Sequence, residues 1–425
     1  MFKNIFTKPI FISISPTAEK NDIILALKLL LQPWKWKSGE SREKFKSSLA
    51  YYLGVKDIFL FDSGRNALYA ILLSLNLKEG DEILIQAFTC TAAVNPILWL
   101  KARPVYVDVS TDGVNMLPKD VEKKITLKTK AIIVQHTFGF SAEMDEILKI
   151  AKKHKLAVIE DVAHAFGGKY KRKMLGTLGD AAILSFGRSK IISSVSGGAA
   201  VVNNKAIAEN LEVFYRSCRP PKARWVAQQL LHPIIFGCVK LSYNFLYFGR
   251  ILALTAKVLR LYTPSVCKAE KKGGRPPLPP SVMPNALAAL GLNQLDKLDR
   301  FNEHRIKVAK IYEAGLKKNK KVLLVKSLPK TKSVFLYFPV AFENSFISDE
   351  FLLYAKRESV YLEVWPARTV IGPPGTSLNK LFYIAGSCPS AESLALRSIV
   401  LPTSPLTSYK DALEIVNLIN THARW

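Results

Sequence analysis

The sequence predicts an α/β fold with a mostly parallel central sheet in a large domain and a smaller C-terminal α/β domain. Two observations predict it. Short apolar runs with strand character alternate with amphipathic helical stretches, the order that builds parallel sheets through crossover helices. The 425 residues, 49% of them hydrophobic, suffice for two domains with their own cores. The expected boundaries are an N-terminal arm at 1–37, a large domain at 38–300 with a hydrophobic and basic insertion at 225–280, and a small domain at 301–425.

In chain order, Phe59-Leu60-Phe61 reads as a short strand running through Asp62, Ser63 and Gly64 into a helix that contains Ala67-Leu68-Tyr69. A glycine at a helix start leaves backbone N–H groups open to an anion, and the helix dipole adds positive charge there. The same Ser-Gly also suits an ordinary helix cap. Arg65 is placed to pair with a phosphate on such a cradle. Lys130 to His136 reads as a buried strand, Glu143 to His154 as an amphipathic helix, and Ala157 to Val162 and Ala181 to Phe186 as further strands.

Ligands of parallel sheets sit at the carboxyl ends of the strands, where Asp161 and Ser185 fall, and Lys190 follows in the run Ser185-Phe186-Gly187-Arg188-Ser189-Lys190. Lys190 and Asp161 are the two groups that a pyridoxal phosphate enzyme needs. The amine holds the cofactor aldehyde as a Schiff base and later moves protons, while the carboxylate keeps the pyridine nitrogen protonated. Alone, either residue is an ordinary surface lysine or a capping aspartate.

Ser63-Gly64-Arg65-Asn66-Ala67-Leu68, Gly80-Asp81-Glu82-Ile83, Pro104 to Val109, Glu160-Asp161-Val162-Ala163-His164-Ala165, Gly179-Asp180 and the run from Ser185 through Lys190 to Gly197-Gly198 occur in one order and spacing. In these motifs the chain resembles the DegT-type sugar aminotransferases, fold-type-I pyridoxal phosphate enzymes. The likeness is strongest over 38–222 and resumes at Ala286 to Leu295 and at Cys388 to Glu392 with Leu401-Pro402. The resemblance implies that Lys190 is the Schiff-base lysine, that Asp161 partners the pyridine nitrogen, and that Ser185 with the Gly64 and Arg65 backbone binds phosphate. His164 stands where the family usually has a glutamine near the cofactor's phenolic oxygen; the imidazole either donates there or is simply packed. The resemblance further implies a homodimer, glutamate as amino donor, and a keto-sugar on a nucleotide diphosphate as acceptor, in surface polysaccharide or glycan biosynthesis.

The chain departs from the family at several places. Cys90 stands where an aromatic normally stacks on the cofactor ring; Phe88, two residues earlier, would point to the same side of an extended segment, so one of the two is expected to cover the ring. The family's Gly-Glu before the Gly-Gly pair is Val195-Ser196. The loop that in the family comes from the neighbouring subunit reads Pro279 to Asn285 and lacks its arginine. Two further readings stay open: a sugar dehydratase of the same fold, against which Lys190 speaks because histidine replaces that lysine there, and a membrane-associated or regulatory member that keeps the fold and has lost activity.

The formal net charge of +27 suits an anionic membrane surface or acidic substrates; no zinc-ligand spacing or aromatic-basic RNA-binding signature accompanies it, so no nucleic acid is expected. The five scattered cysteines, without a CxxC pair, point to a reducing compartment, hence the cytoplasm. Met1 to Ser15 is too interrupted by polar residues for a secretory signal. Trp225 to Tyr262 is rich in aromatic and aliphatic residues and basic residues only. Lys240 and Arg250 interrupt a spanning helix, so the segment reads either as an interfacial element on anionic lipid at the inner face of the membrane or as an insertion packing on the domain or dimer partner. Beyond a basic, flexible loop at Lys271 to Pro280, helices are expected at Ala286 to Leu290, Asn302 to Leu316, Asp349 to Ser359 and Lys410 to Ile419, and strands at Ser333 to Phe342 and Val360 to Val364.

Overall fold

Seven strands form the central sheet of the computed structural model, which describes residues 9–12 and 15–422. They are β1 Asp57–Phe61, β2 Glu82–Gln86, β3 Arg103–Val107, β4 Thr129–Gln135, β5 Ala157–Asp161, β6 Ala181–Ser185 and β7 Gly198–Val202. Their spatial order is β1-β7-β6-β5-β4-β2-β3. Neighbours from β6 across to β3 are parallel, whereas β7 runs antiparallel to both β6 and β1. The expected mostly parallel sheet is present. Its inner strands read as continuous apolar runs because both faces are covered: Ala131 to Val134 are wholly buried.

The sequence reading did not single out β7 as a strand. It opens at Gly198, where a Cβ would come within 2.4 Å of the Gly64 backbone nitrogen. Only glycine lets β7 lie against the start of helix Gly64–Ser74.

In chain order the helices used below are α1 Lys20–Leu30, α2 Gly64–Ser74, α3 Met144–His154, α4 Ala223–Ser242, α5 Phe248–Val258, α6 Asn285–Leu295, α7 Leu298–Leu316 and α8 Tyr409–His422. A second sheet of β8 Val322–Leu324, β9 Tyr337–Phe342 and β10 Ser398–Pro402, antiparallel throughout, stands with α7 and α8 in the C-terminal part. β9 starts later than the expected Ser333, because the Val334 and Leu336 N–H groups bond to the Gly139 and Phe138 carbonyls instead of a neighbouring strand. This stitches the two parts together beside β4.

The described part of the N-terminal arm is fastened rather than free. Ile10–Phe11 pairs with Val360–Tyr361, and Asp22 of α1 accepts from Asn293, Gln294 and Lys297. The reading of Met1 to Ser15 as no secretory signal falls largely on residues outside those described.

Residues 225–262 form two helices of unlike character. α4 buries Val226, Leu230, His232, Pro233, Gly237 and Val239 and packs along α1, with Gly237 facing Ile23. α5 folds back on α4 through Gly249, where a Cβ would lie 2.6 Å from the Tyr243 Cα and the Val239 carbonyl oxygen. Among the described residues no helix is long and apolar enough to cross a membrane.

Candidate active site

The carboxyl ends of β5 and β6, the start of α2 and the loop after β6 open onto one cavity of about 420 Å³. Asp161, the last residue of β5, is 7% exposed; its carboxylate accepts from the Ala163 N–H at 3.0 Å. Burial pushes its pKa up, while the Ala163 hydrogen bond and the charges of Lys190 and His136 pull it back. Lys190 lies in the tight turn after β6, where its own N–H bonds to the Gly187 carbonyl at 3.1 Å. Enclosure by protein pushes the Lys190 amine down from the usual lysine range, with Cys90 and Asp161 acting the other way. The amine and the carboxylate are near enough to influence one another's ionisation.

Ser185, at the end of β6, faces the start of α2. A Cβ on Gly64 would sit 3.0 Å from the Ser185 Cβ and 3.2 Å from its hydroxyl, so glycine is what allows the hydroxyl and the helix start to share one cradle. Ser63 caps α2 by accepting from the Asn66 N–H, and the first turn contains no acidic residue. A phosphate fits this cradle, and a half-buried lysine and a buried carboxylate fit the aldehyde and ring nitrogen of pyridoxal phosphate.

The supporting network accounts for motif residues that touch no cavity. Glu160, wholly buried, bonds to His136 at 3.1 Å and accepts from the Gly176, Leu178 and Gly179 N–H groups, while Asp180 accepts from Val158 N–H. These bonds hold the turn that leads into β6. His164 lines the cavity and is also packed: its ring lies parallel to Phe138, and Nδ1 accepts from the Phe138 N–H at 3.4 Å. That acceptor role leaves the proton on Nε2. Burial, reinforced by Lys190, holds the ring well below the usual histidine range, so it stays neutral.

Two expectations need correction. Phe88 is not among the residues lining the cavity; it is wholly buried, edge-on to Phe138 and Trp365, and Cys90 alone of the pair faces the cavity. The chain bends at 87–88 between β2 and the short pairing of Thr89–Cys90, so the alternation of an extended strand does not hold there. The Arg65 guanidinium, expected on phosphate, instead makes an ion pair with Glu270 and donates to the Ser265 carbonyl.

Glu270 belongs to a wall that sequence reasoning missed. Thr263 to Cys267, Glu270 and Pro276 to Leu278 line the cavity opposite the strand ends. Glu270 is 2% exposed, its second carboxylate oxygen accepts from the Cys267 N–H at 2.8 Å, and its carbonyl accepts from Asn95 at 2.9 Å. Arg188, two residues before Lys190, donates to the Thr263 carbonyl at 2.6 Å and to Gln229 at 3.1 Å. Thus one arginine from the cradle and one from the lysine loop fasten the same strap. Glu270 does carry a sequence signal: it is the first acidic residue after Glu212.

The charged residues lining the cavity are Asp62, Arg65, Asp161, Arg188, Lys190 and Glu270, so the chain's excess of positive charge is not concentrated there. Val195, in the family's glycine position, adopts φ 71° while 7% exposed, a costly conformation for a β-branched residue beside the site. The loop at 279–285 is pinned to its own chain, with Met283 N–H on the Leu60 carbonyl and Asp62 N–H on the Ser281 carbonyl.

Comparison with known proteins agrees with this geometry. The DegT/DnrJ/EryC1/StrS aminotransferase family pattern matches residues 17–243 and 279–420. GDP-perosamine synthase of Escherichia coli O157:H7 is 29% identical over 390 residues, 91% of each chain. UDP-4-amino-4,6-dideoxy-N-acetyl-beta-L-altrosamine transaminase of Campylobacter jejuni is 27% identical over 305 residues, 71% of this chain and 69% of the relative. Among solved structures, Spr1654 of Streptococcus pneumoniae in its PLP form superposes with a TM-score of 0.76 at 20% identity, covering 98% of this chain and 99% of that one, a likeness of fold.

Proposed function

The chain belongs to the DegT/DnrJ/EryC1/StrS aminotransferase family and is a pyridoxal phosphate-dependent sugar aminotransferase, and from that premise we propose that it moves the amino group of glutamate onto the keto carbon of a nucleotide-linked sugar for glycan assembly. The convergence of the Lys190 amine, the Asp161 carboxylate and the α2 cradle on one cavity is the observation that carries this reading. Bound pyridoxal phosphate supplies an aldehyde that takes up amines and a protonated ring that stabilises negative charge on the neighbouring carbon.

Each residue then has a task. Lys190 Nζ, its amine made easier to deprotonate by enclosure, would hold the cofactor aldehyde and would take and return the proton at the donor's α-carbon. Asp161 would partner the ring nitrogen and keep it protonated. The Ser185 hydroxyl and the Gly64 and Arg65 N–H groups hold the phosphate at the positive end of α2. His164, neutral with its proton on Nε2, donates toward the phenolic oxygen. Cys90 occupies the ring-facing position. Glutamate leaves as its 2-oxo acid, and the sugar keto carbon becomes an amine. Lys190 in the cavity favours transfer over dehydration.

The two sugar-transforming relatives, whose names carry a GDP or UDP group, support a nucleotide diphosphate on the acceptor. The resemblance supports a homodimer, and the five free cysteines support a cytoplasmic site of action. The test is spectroscopic and then synthetic. The purified chain with pyridoxal phosphate should show an absorbance band that shifts on adding glutamate, and a panel of keto-sugar nucleotides should restore it. A band indifferent to glutamate and to every other amino donor overturns the reading.

A further inference from the structure

We propose that the outward face of α5 docks this chain on an anionic lipid surface, a property independent of the transfer reaction. Residues 244–278 lie outside the stretches that match the family, so α5 is an addition to the family pattern. On α5 the side chains of Phe248, Ile251, Leu254 and Val258 are 56%, 59%, 62% and 71% exposed. Their spacing of three and four places them on one stripe of the helix. Phe245 before the helix and Leu259 after it, 57% and 61% exposed, extend the apolar surface. The opposite side is built in, with Gly249 and Ala256 buried against the fold.

Arg250 anchors the helix. Its guanidinium lies 4.9 Å from the ring centres of both Tyr243 and Tyr247, and it donates to Asn244 and to the Tyr361 hydroxyl. The apolar stripe is therefore held outward by a fixed scaffold.

Charge selects the occupant. From 213 to 269 the sequence contains no Asp or Glu, but it contains Arg216, Arg219, Lys222, Arg224, Lys240, Arg250, Lys257, Arg260 and Lys268. Lys257 and Arg260 are exposed at the C-terminal end of the apolar stripe. A second copy meeting this face about a two-fold axis would set like charges together with no carboxylate from this stretch to answer them. Anionic headgroups answer them, while the apolar side chains enter the acyl boundary. The earlier span of 225–262 narrows accordingly: Trp225, Phe236 and Tyr262 face inward, Trp225 on the cavity and Phe236 stacked on His232 at 4.4 Å. Within a few residues of α5 the chain enters the cavity wall at Thr263, so a docked α5 brings that wall to the lipid surface.

The experiment is sedimentation of the full chain with vesicles of phosphatidylcholine alone or mixed with phosphatidylglycerol, at low and high salt. The wild type should pellet with the mixed vesicles, less at high salt, and only weakly with phosphatidylcholine. Ile251→Glu/Leu254→Glu should reduce binding by at least about ten-fold, and Lys257→Glu/Arg260→Glu should abolish the preference for phosphatidylglycerol. Unchanged circular dichroism and cofactor absorbance in both variants would show that the fold is intact. If the wild type fails to pellet, or the first variant pellets as well as the wild type, the proposal is overturned. It is equally overturned if wild type and variant differ instead in oligomeric size, which would make the face a contact between copies.

Discussion

The cavity has two walls built on different principles. One consists of ends of regular elements: the β5 and β6 termini, the α2 start and the Lys190 turn, each set by the backbone ladder of the central sheet. The other is an irregular strap, Thr263 to Leu278, held by side chains: Arg65 on Glu270 and Ser265, Arg188 on Thr263, and Arg275 on the Trp99 carbonyl. A sheet-borne wall is rigid because its hydrogen bonds form many at a time, so it suits groups whose placement sets chemistry. A wall fastened by a few charged side chains is adjustable by single substitutions. It suits the selection of what enters.

The sharpest break in this comparison is Lys190→Ala. It should reduce transfer by more than about 10⁴-fold, beyond what a positioned acid-base group alone contributes. Borohydride reduction and peptide mapping should find the cofactor on Lys190 in the wild type and on no lysine in the variant, with thermal stability retained. A pyridoxyl group on a different lysine would dissolve the first wall as described.

Glu270→Ala tests the second wall. It leaves the Arg65 guanidinium without its carboxylate. The expected loss is about 2–3 kcal/mol of stability, below the range for a wholly buried pair because the Arg65 side chain keeps 20% of its exposure. Acceptor KM should rise more than kcat falls. An equal fall in kcat with unchanged KM would move Glu270 to the chemical wall.

His232 lies in α4, behind the strap, with Ser15 at 3.4 Å and Phe236 stacked on it. Burial, helped by Arg188 and Lys240, lowers its pKa to about 2. The folded chain thus refuses a proton that the unfolded chain accepts near pH 6.5, and stability falls as pH drops below that value. It should fall by up to about 1.4 kcal/mol per pH unit. Denaturant melts at pH 7.5 and 5.5 should show a smaller drop for His232→Gln than for the wild type. Equal drops would place the ring in solvent.

The smallest effect is expected from Arg65→Ala on cofactor affinity, less than about 1 kcal/mol, because the guanidinium is engaged by Glu270 and Ser265. A loss of about 1.5–3 kcal/mol in cofactor titrations would return the guanidinium to phosphate and loosen the strap from the first wall.

The first wall was legible in the sequence and the second was not. Asp161 and Ser185 stand at the ends of apolar runs, so strand periodicity carries them to one edge of a parallel sheet, and Lys190 follows Ser185 by a short turn. Phe88 was misplaced because a bend at 87–88 cancels a two-residue alternation that only a continuous strand obeys. The Arg65 to Glu270 pair joins residues 205 positions apart, and no local pattern signals such a contact. The segment 225–262 shows the same division: composition marked it as apolar and basic throughout, yet α4 is largely inward and α5 largely outward.

By itself the sequence determined the alternation of strands and helices that carries β4, β5 and β6, the identity of the amine and carboxylate, and the long run without acidic residues. Those are properties of periodicity and residue type, which act over a few positions. Only the tertiary structure decided which arginine meets which acceptor, which aromatic reaches the cavity, and which face of an apolar helix is covered. Each depends on elements distant in the chain meeting in space, where close packing admits one partner and excludes the rest.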